Sequence, residues 1–594
     1  MKLQKKIIWV LASSLMALSL VLASCGPAAP TTPTTPTTPT TPTTPTTPTT
    51  PTTPTAGGNW WDKYGEPQYG GTFNWRSSRT PGHWDPYFFA NPLNLENLGG
   101  VDWSADREIV DYKTSYFPDE VRTPWLAESW EQTDPVTYVF HIREGVYWQD
   151  IPPVNGREFT AYDVEYHYHR MLGLGSGYTK PGPFDMATWQ WLESATATDK
   201  YTIVFKFTVP SLDYEFKLLD CGWFNIPPRE AIELWGDVDD WRHSIGTGPF
   251  ILDDYVTGSS VTWVKNPNYW GYDETHPENK LPYVDVLKQL IIPDLATALA
   301  GLRAAKLDLV ENLSWEQAAS LRKTNPELME VTRPFRSGYV LDLRVDKEPF
   351  TDIRVRTAMQ MAIDLPTIAA THYGGSVEGK PYGMVGSAAK GWYTPFDEWP
   401  KELQAEYTYD PEGAKALLAE AGYPDGFKTN CVTPSNQDLA LLEILKAYLS
   451  DINVDMDIEV KEYAAYLSFV NSGAHDQIVF NQDSTALEMP PTMSLPRGYT
   501  PFVKNLTFNN DLHFNELFDR FTETLDKAER MSLSNEMDMY SLEQHWRVNV
   551  LPQTLFNFYQ PWLKGFSGEY LSVTGPYFVP RLWIDSDLKK SMGH

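Results

Sequence analysis

The chain has 594 residues, with 77 Asp and Glu against 48 Lys and Arg, for a formal net charge of −29. That balance excludes a general nucleic-acid binder, which needs a basic footprint, and it predicts repulsion from anionic lipid headgroups. Aromatic residues make up 14 % of the chain and include 22 Trp; many must fill a core, and an extracellular protein also uses Trp and Tyr to line ligand clefts.

At the N-terminus, Lys2, Lys5 and Lys6 precede an apolar run from Ile7 to Leu22. About sixteen residues fall short of the roughly twenty that span a bilayer, and the basic-then-apolar order is that of an export signal. The run ends in Leu22-Ala23-Ser24-Cys25, which resembles the bacterial lipobox, in which small residues admit the signal peptidase before a cysteine that receives diacylglycerol. Residues 1–24 are therefore expected to be removed and Cys25 to be lipidated. A Thr-Thr-Pro repeat then runs to Thr55. Proline lacks an N–H, and nothing here can bury apolar area, so residues 25–58 are predicted to form a disordered stalk. At ~3.1 Å per residue in polyproline-like coil, it reaches on the order of 70 Å. Its threonines are candidates for glycosylation.

Beyond the stalk lie roughly 535 residues, enough for two to four domains with ample core. Two cysteines remain there, Cys221 and Cys431. Their spacing leaves both a disulfide and two buried thiols open.

Along the body, Thr160 begins a predicted helix in "FTAYDVEYHYHRML". Its His167 and His169 are two positions apart, which does not place them on one face as a metal pair requires. "YTIVFKFTV" (201–209) alternates strictly, with Ile203, Phe205, Phe207 and Val209 on one side of a strand. In "FTDIRVRTAMQMAIDLP" (350–366), Val355, Ala358, Met359, Ala362 and Ile363 form a helical stripe that ends before Pro366. In 409–427, Asp410 is the predicted N-cap, Pro411 the first helical residue and Gly422 the left-handed stop. Then "FKTNCV", a helix carrying Leu441, Leu442, Leu445, Tyr448 and Leu449, and the alternating "VDMDIEV" (454–460) make a βαβ unit and predict parallel sheet. No HExxH, GxSxG, Walker A or CxxC pattern occurs in the sequence, so no catalytic residue, resident metal or cofactor is expected.

Several stretches in order resemble the extracytoplasmic solute-binding proteins, family 5, of ABC importers. They are "YGGTFNW" (69–75) with "HWDPYFF" (83–89), "PWLAESWEQTDPVTYVFHIREGVYWQD" (124–150), "FTAYDVEYHYHRM" (159–171), "GTGPFIL" (246–252), "KNPNYW" (265–270), "LPYVDVL" (281–287), "PFTDIRVRTAMQMAID" (349–364) and "DPEGAKALLAEAGYPDGF" (410–427). The resemblance implies an α/β type II periplasmic-binding-protein fold, with two lobes around a cleft and an extra subdomain inserted in the first lobe. Lobe I would comprise 59–95, 225–337 and 550–594, the inserted subdomain 96–224, and lobe II 338–549. The hinge would lie near Ser337-Gly338 and Asn549-Val550.

The resemblance also implies candidate ligand positions. Peptide-binding relatives carry Gly-Trp and, close behind, an Asp that holds the peptide ammonium. Here Asn481, Gln482 and Asp483 occupy that region, with Asp483 in the ammonium role and no tryptophan. Other positions matching pocket-lining segments are Arg79, Thr80, Trp189, Trp191, Asn312, Trp315, Tyr339 and Asp342. The implied mechanism is capture by lobe closure, with release to a membrane permease and its ATPase and no cofactor. The implied protein is a monomer tethered to the outer face of the cell membrane. An oligopeptide ranks first as ligand, an oligosaccharide second and a nickel or metal chelate third. Two readings from other classes stand beside this one. A lipid-anchored secreted hydrolase would place two carboxylates about 5–5.5 Å apart if it were a retaining glycosidase. A surface adhesin or receptor would bind a protein partner instead.

Overall fold

The computed structural model describes residues 59–88, 93–114, 117–182, 191–219, 225–387, 389–483, 494–500 and 505–594. The signal, the stalk with Cys25, Trp189 and Cys221 lie outside the described residues, as does the side chain of Asp483.

In chain order the strands are β1 (Thr72–Ser77), a short ribbon of β2 (Gly99–Val101) and β3 (Arg122–Pro124), then β4 (Ala127–Asp134), β5 (Thr137–Ile142), β6 (Leu192–Ala197) and β7 (Thr202–Phe207). There follow β8 (Phe250–Val256), β9 (Ser260–Lys265), β10 (Val286–Ile291), β11 (Leu309–Leu313) and the long β12 (Met329–Leu343). The second half adds β13 (Phe427–Pro434), β14 (Val454–Lys461), β15 (Ile478–Asp483), the long β16 (Arg547–Tyr559) and a ribbon of β17 (Leu563–Lys564) and β18 (Trp583–Ile584). The helices that position the site are α1 (Ala161–Leu172), α2 (Asp213–Leu219), α3 (Leu295–Arg303), α4 (Trp315–Thr324), α5 (Ile353–Met361), α6 (Leu365–Thr371), α7 (Pro411–Glu420), α8 (Leu439–Asp451), α9 (Leu512–Glu523) and α10 (Lys527–Glu543).

One ten-stranded sheet, ordered β14-β13-β15-β12-β16-β11-β1-β10-β9-β8, runs through both lobes. Among the described residues, β12 and β16 continue from one lobe into the other, paired antiparallel along most of their length. Their apolar faces belong to different cores at the two ends. On β16, Val548, Val550 and Leu551 pack with lobe II, whereas Phe556, Phe558 and Tyr559 pack with lobe I. Between these stretches the ladder shifts register, from Pro334 to Gly338 and again from Gly338 to Val340. Such breaks bend and twist a strand pair locally. The fold is thus the two-lobed α/β arrangement expected from the sequence.

The inserted subdomain is a separate four-stranded sheet, β4-β5-β7-β6, covered by α1. Ile203, Phe205 and Phe207 of β7 are buried in its core, as their alternation predicts. Thr160 begins α1 with a reciprocal capping box to Asp163. His169 has both ring nitrogens engaged, one with the Ser176 hydroxyl and one with the Ala195 carbonyl. Burial holds His167 down at about 3, so it is neutral.

In lobe II, β13, α8 and β14 form the expected βαβ unit, with β13 and β14 parallel over eight residue pairs. Leu441, Leu442, Leu445 and Leu449 of α8 are fully buried. Asp410 caps α7 by accepting from the Gly413 N–H, and Gly422 has φ +96°. The stripe in 350–366 ends before Pro366 as expected: α5 stops at Met361, and Pro366 sits in the first turn of a further helix, α6, capped by Asp364. Proline fits a first turn because the N–H it lacks has no intrahelical partner there. Cys431 is a free, fully buried thiol, pushed well above its usual range by burial.

Candidate functional site

Strand direction places the site. β11 runs parallel to β1, which runs parallel to β10, while β13 runs parallel to both β14 and β15. β16 is antiparallel to both β11 and β12, so β11 and β12 point the same way, toward lobe II. β15 is antiparallel to β12 and therefore points toward lobe I. The C-terminal ends of the parallel strands in both lobes thus converge where β12 and β16 cross. Open α/β sheets bind ligands beyond the carboxyl ends of their strands.

Arg79 and Thr80 follow β1 at this convergence and are exposed; the Arg79 carbonyl accepts from the Ser77 hydroxyl at 2.7 Å. Asn312 lies in the irregular stretch of β11 with φ +65°. Its N–H donates to Asn557 Oδ1 at 3.0 Å, and its own side-chain Oδ1 accepts from Arg333 Nη2. Beneath it, Glu311 is buried and accepts from Trp75 Nε1 at 2.7 Å. Burial pushes the Glu311 carboxyl up, while Arg333 and the Trp75 bond pull the other way.

Trp315, two residues past β11, reaches across to lobe II. Its Nε1 donates to the His372 carbonyl at 2.6 Å. Its ring lies against Gly374, where a Cβ would fall 2.4 Å from a ring carbon and φ is +57°. Only glycine satisfies both the backbone and the close approach. His372 Nε2 meets Asp438 Oδ2 at 2.8 Å, and Asp438 Oδ1 accepts from the Leu441 N–H to cap α8. The Asp438 bond raises His372 above its ordinary value. Burial pushes Asp438 up, but the His372 bond and the helix N–H groups outweigh it and hold it below the usual carboxylate range.

Tyr339 on β12 stacks on Phe480 of β15, with ring centroids 5.0 Å apart and planes at 9°. Burial pushes its hydroxyl well above the ordinary value, and Gln482, Gln553 and the backbone of Asp438 face it. Tyr339 and Gln482 are direct cross-strand partners on the face covered by the helices of lobe II. Asp342 and Asn481 lie on the opposite face, by strand alternation. They bond to each other at 2.6 Å, Asn481 Nδ2 donating, with Arg547 3.4 Å from Asp342. The Asp483 backbone pairs with Gly338 at the crossing. Trp191 stands at the start of β6 in the subdomain, 37 % exposed, with the Lys217 ammonium 5.8 Å from its ring.

Of the candidates, Trp315 meets lobe II through His372, and Tyr339 faces Gln482 across the β12–β15 ladder. Arg79 and Thr80 are exposed after β1, Asn312 is bonded to Asn557 and Arg333 within lobe I, Asp342 and Asn481 are bonded to each other within lobe II, and Trp191 stands in the subdomain. Sequence reasoning missed His372, Gly374, Asp438 and Gln553. Asp438 has a readable signal, an N-cap before the leucine stripe; the other three have none. Among the described residues no group of three or more His, Cys, Asp or Glu could hold a metal ion. No described helix is long and apolar enough to cross a membrane.

With this geometry in place, the comparisons are decisive. The family model for bacterial extracellular solute-binding proteins, family 5, matches residues 122–501. The chain belongs to this family. Its relatives include the heme-binding protein A of Haemophilus influenzae, 28 % identical over 513 residues, which cover 81 % of this chain and 88 % of that one. The periplasmic oligopeptide-binding protein OppA of Salmonella typhimurium is 24 % identical, over 75 % of this chain and 82 % of that one. Among solved structures, the chain resembles the ABC transporter-associated periplasmic binding protein DppA from Helicobacter pylori in complex with peptide STSA. There the TM-score is 0.68 at 23 % identity, covering 87 % of this chain and 99 % of that one. The two-lobed fold that strand order and register describe is the fold of this family 5 member.

Proposed function

We propose that this family 5 protein is the extracytoplasmic solute-binding component of an ABC importer, and that it captures an oligopeptide-like solute by lobe closure. The observation that carries the reading is the convergence of strand ends from both lobes over a pair of crossing strands. A solute held by Arg79, Thr80, Asn312 and Trp315 on one side meets Tyr339 and Gln482 on the other, and it favours closure by the contacts it gains in the closed form. In this reading the hinge expected near Ser337-Gly338 and Asn549-Val550 falls at the register break Pro334–Gly338, and its β16 side moves to Pro552–Thr554 because Val550 and Leu551 pack in the lobe II core. Aromatic faces supply stacking area, while amides and backbone groups match a polar chain. Relatives named for peptides support the ligand class.

In this reading the protein is a binder that releases its solute unchanged to a permease and its ATPase. Cys25 carries the lipid, and the Thr-Pro stalk holds the body off the outer face of the membrane. Native mass spectrometry of the full-length chain, purified gently from a peptide-rich medium, tests the ligand class. The expected result is an added mass of one intact peptide per chain. An added oligosaccharide or tetrapyrrole would replace the ligand class, and peptide fragments accumulating in solution would replace the binder with a hydrolase.

A further inference from the structure

A second contact bridges the lobes away from the strand ends. Helix α10 belongs to lobe II, where Leu533 and Met537 pack with Trp392, Phe514, Phe521 and Trp546. Helix α2 belongs to the inserted subdomain, where Tyr214, Leu218 and Leu219 pack with Phe140 and Phe205. These two apolar clusters share no member. Charged contacts join them. Arg530 of α10 donates from Nη1 to Asp213 Oδ1 at 3.0 Å and from Nη2 to Asp213 Oδ2 at 2.8 Å. The two side chains are only 3 % and 9 % exposed. The guanidinium also sits 4.5 Å from the Phe521 ring, which fixes its approach from the lobe II side. One helical turn earlier, Lys527 meets Asp119 at 2.8 Å and Glu120 at 3.4 Å in a half-exposed rim. Arg122 braces the acidic side, close to both Asp119 and Glu215.

We propose that Arg530 and Asp213, with Lys527 against Asp119 and Glu120 at the rim, form a clasp between lobe II and the inserted subdomain that sets the closed position. The inference rests on the closing-lobe reading above. A fork-to-carboxylate pair fixes orientation as well as distance. Dehydrating both charges roughly offsets their attraction, so the pair adds little net stability while both partners remain. Removing one partner takes from the other, still buried, its bidentate counter-charge, and the closed form alone bears that cost. Opening the lobes returns the lone charge to water. The clasp therefore acts as a position-setting contact that opens at little cost when intact and disfavours closure when halved. The Lys527 contacts lie in high dielectric and weaken with salt.

Amide hydrogen exchange on the full-length chain tests this without any solute. Arg530→Gln is expected to raise exchange in 213–219, and Asp213→Asn in 527–531, each by about tenfold or more, as opening exposes the partner segment. Segments 202–207 and 441–449, inside the two cores, should not change. Lys527→Ala is expected to change exchange by no more than about twofold, and less at high salt. The charge-exchanged double variant, Asp213→Arg with Arg530→Asp, should recover most of the protection. Unchanged exchange in both single variants overturns the clasp. If a single variant loosens 202–207 as well, the double variant decides: recovery of protection supports the clasp, and failure to recover overturns it. None of these outcomes depends on which solute binds, so failure of the clasp leaves the proposed function to its own test.

Discussion

Glu96 shows how a single residue can hold two parts of the chain together. It is buried where the lobe I segment leads into the inserted subdomain, and it accepts from the Tyr269 hydroxyl at 2.9 Å and from Trp270 Nε1 at 3.2 Å. Burial pushes its carboxyl up to about 7, against the bonds from Thr247, Trp270 and Tyr269 that favour the charged form. In the unfolded chain the group titrates near 4.5, so between that value and about 7 the folded state keeps a proton that the unfolded state has lost. Its contribution to stability is complete below pH 4.5 and declines as pH rises toward 7. A shift of this size corresponds to on the order of 3 kcal/mol. Glu96→Gln removes the titration, so the gap in unfolding free energy between variant and wild type should change by about that amount from pH 4.5 to 7.5. Denaturant titrations at several pH values check it, and parallel pH profiles would contradict it. At this same scale the sequence was only partly legible. Trp315 stands out as an aromatic at a matching position, yet its partners, His372 and Gly374, lie in another lobe with no local pattern to announce them. Asp438 stands where an N-cap precedes the leucine stripe, but the sequence reading did not single it out, and its bond to His372 has no local pattern. Asp342 and Asn481 match the neighbouring positions, yet strand alternation turns them to the other face of the sheet.

Among the elements, legibility followed the apolar pattern. The β13-α8-β14 unit was readable because Leu441, Leu442, Leu445 and Leu449 share one buried face and the flanking strands alternate. Leu445→Ala should therefore cost about 2–5 kcal/mol, the range for a large-to-small change in a close-packed core. A urea titration checks this, with the midpoint falling and the slope unchanged; a cost below about 1 kcal/mol would contradict the packing. The crossing strands were not legible from the apolar pattern, and the expected crossings near Ser337-Gly338 and Asn549-Val550 came from the family resemblance. β12 carries Arg333, Pro334, Arg336, Ser337 and Gly338 in its middle, and β16 carries Pro552 and Gln553. These positions leave one core and enter another, so no continuous apolar face marks them. The stripe in 350–366 was legible to its end, whereas the short helix that Pro366 opens was not read, because proline marks a helix stop as readily as a first turn.

For the molecule as a whole, among the described residues β12 and β16 pass between the lobes, which also meet through the Trp315 ring and its bond to the His372 carbonyl and through the Arg530–Asp213 pair. Trp315 on Gly374 and Arg530 on Asp213 are contacts that can separate without exposing a shared apolar core. That is what a repeatedly opening clamp requires. The family was legible from motifs spread along the body, most of which build turns and packing, and this explains why they identify the fold more sharply than the ligand. Equilibrium dialysis of the full-length chain against a defined mixture of short peptides, with both compartments analysed by mass, tests the central claim most directly. The account predicts retention of about one peptide per chain with every recovered mass intact. Free passage of all the peptides, or the appearance of shortened products, would contradict it.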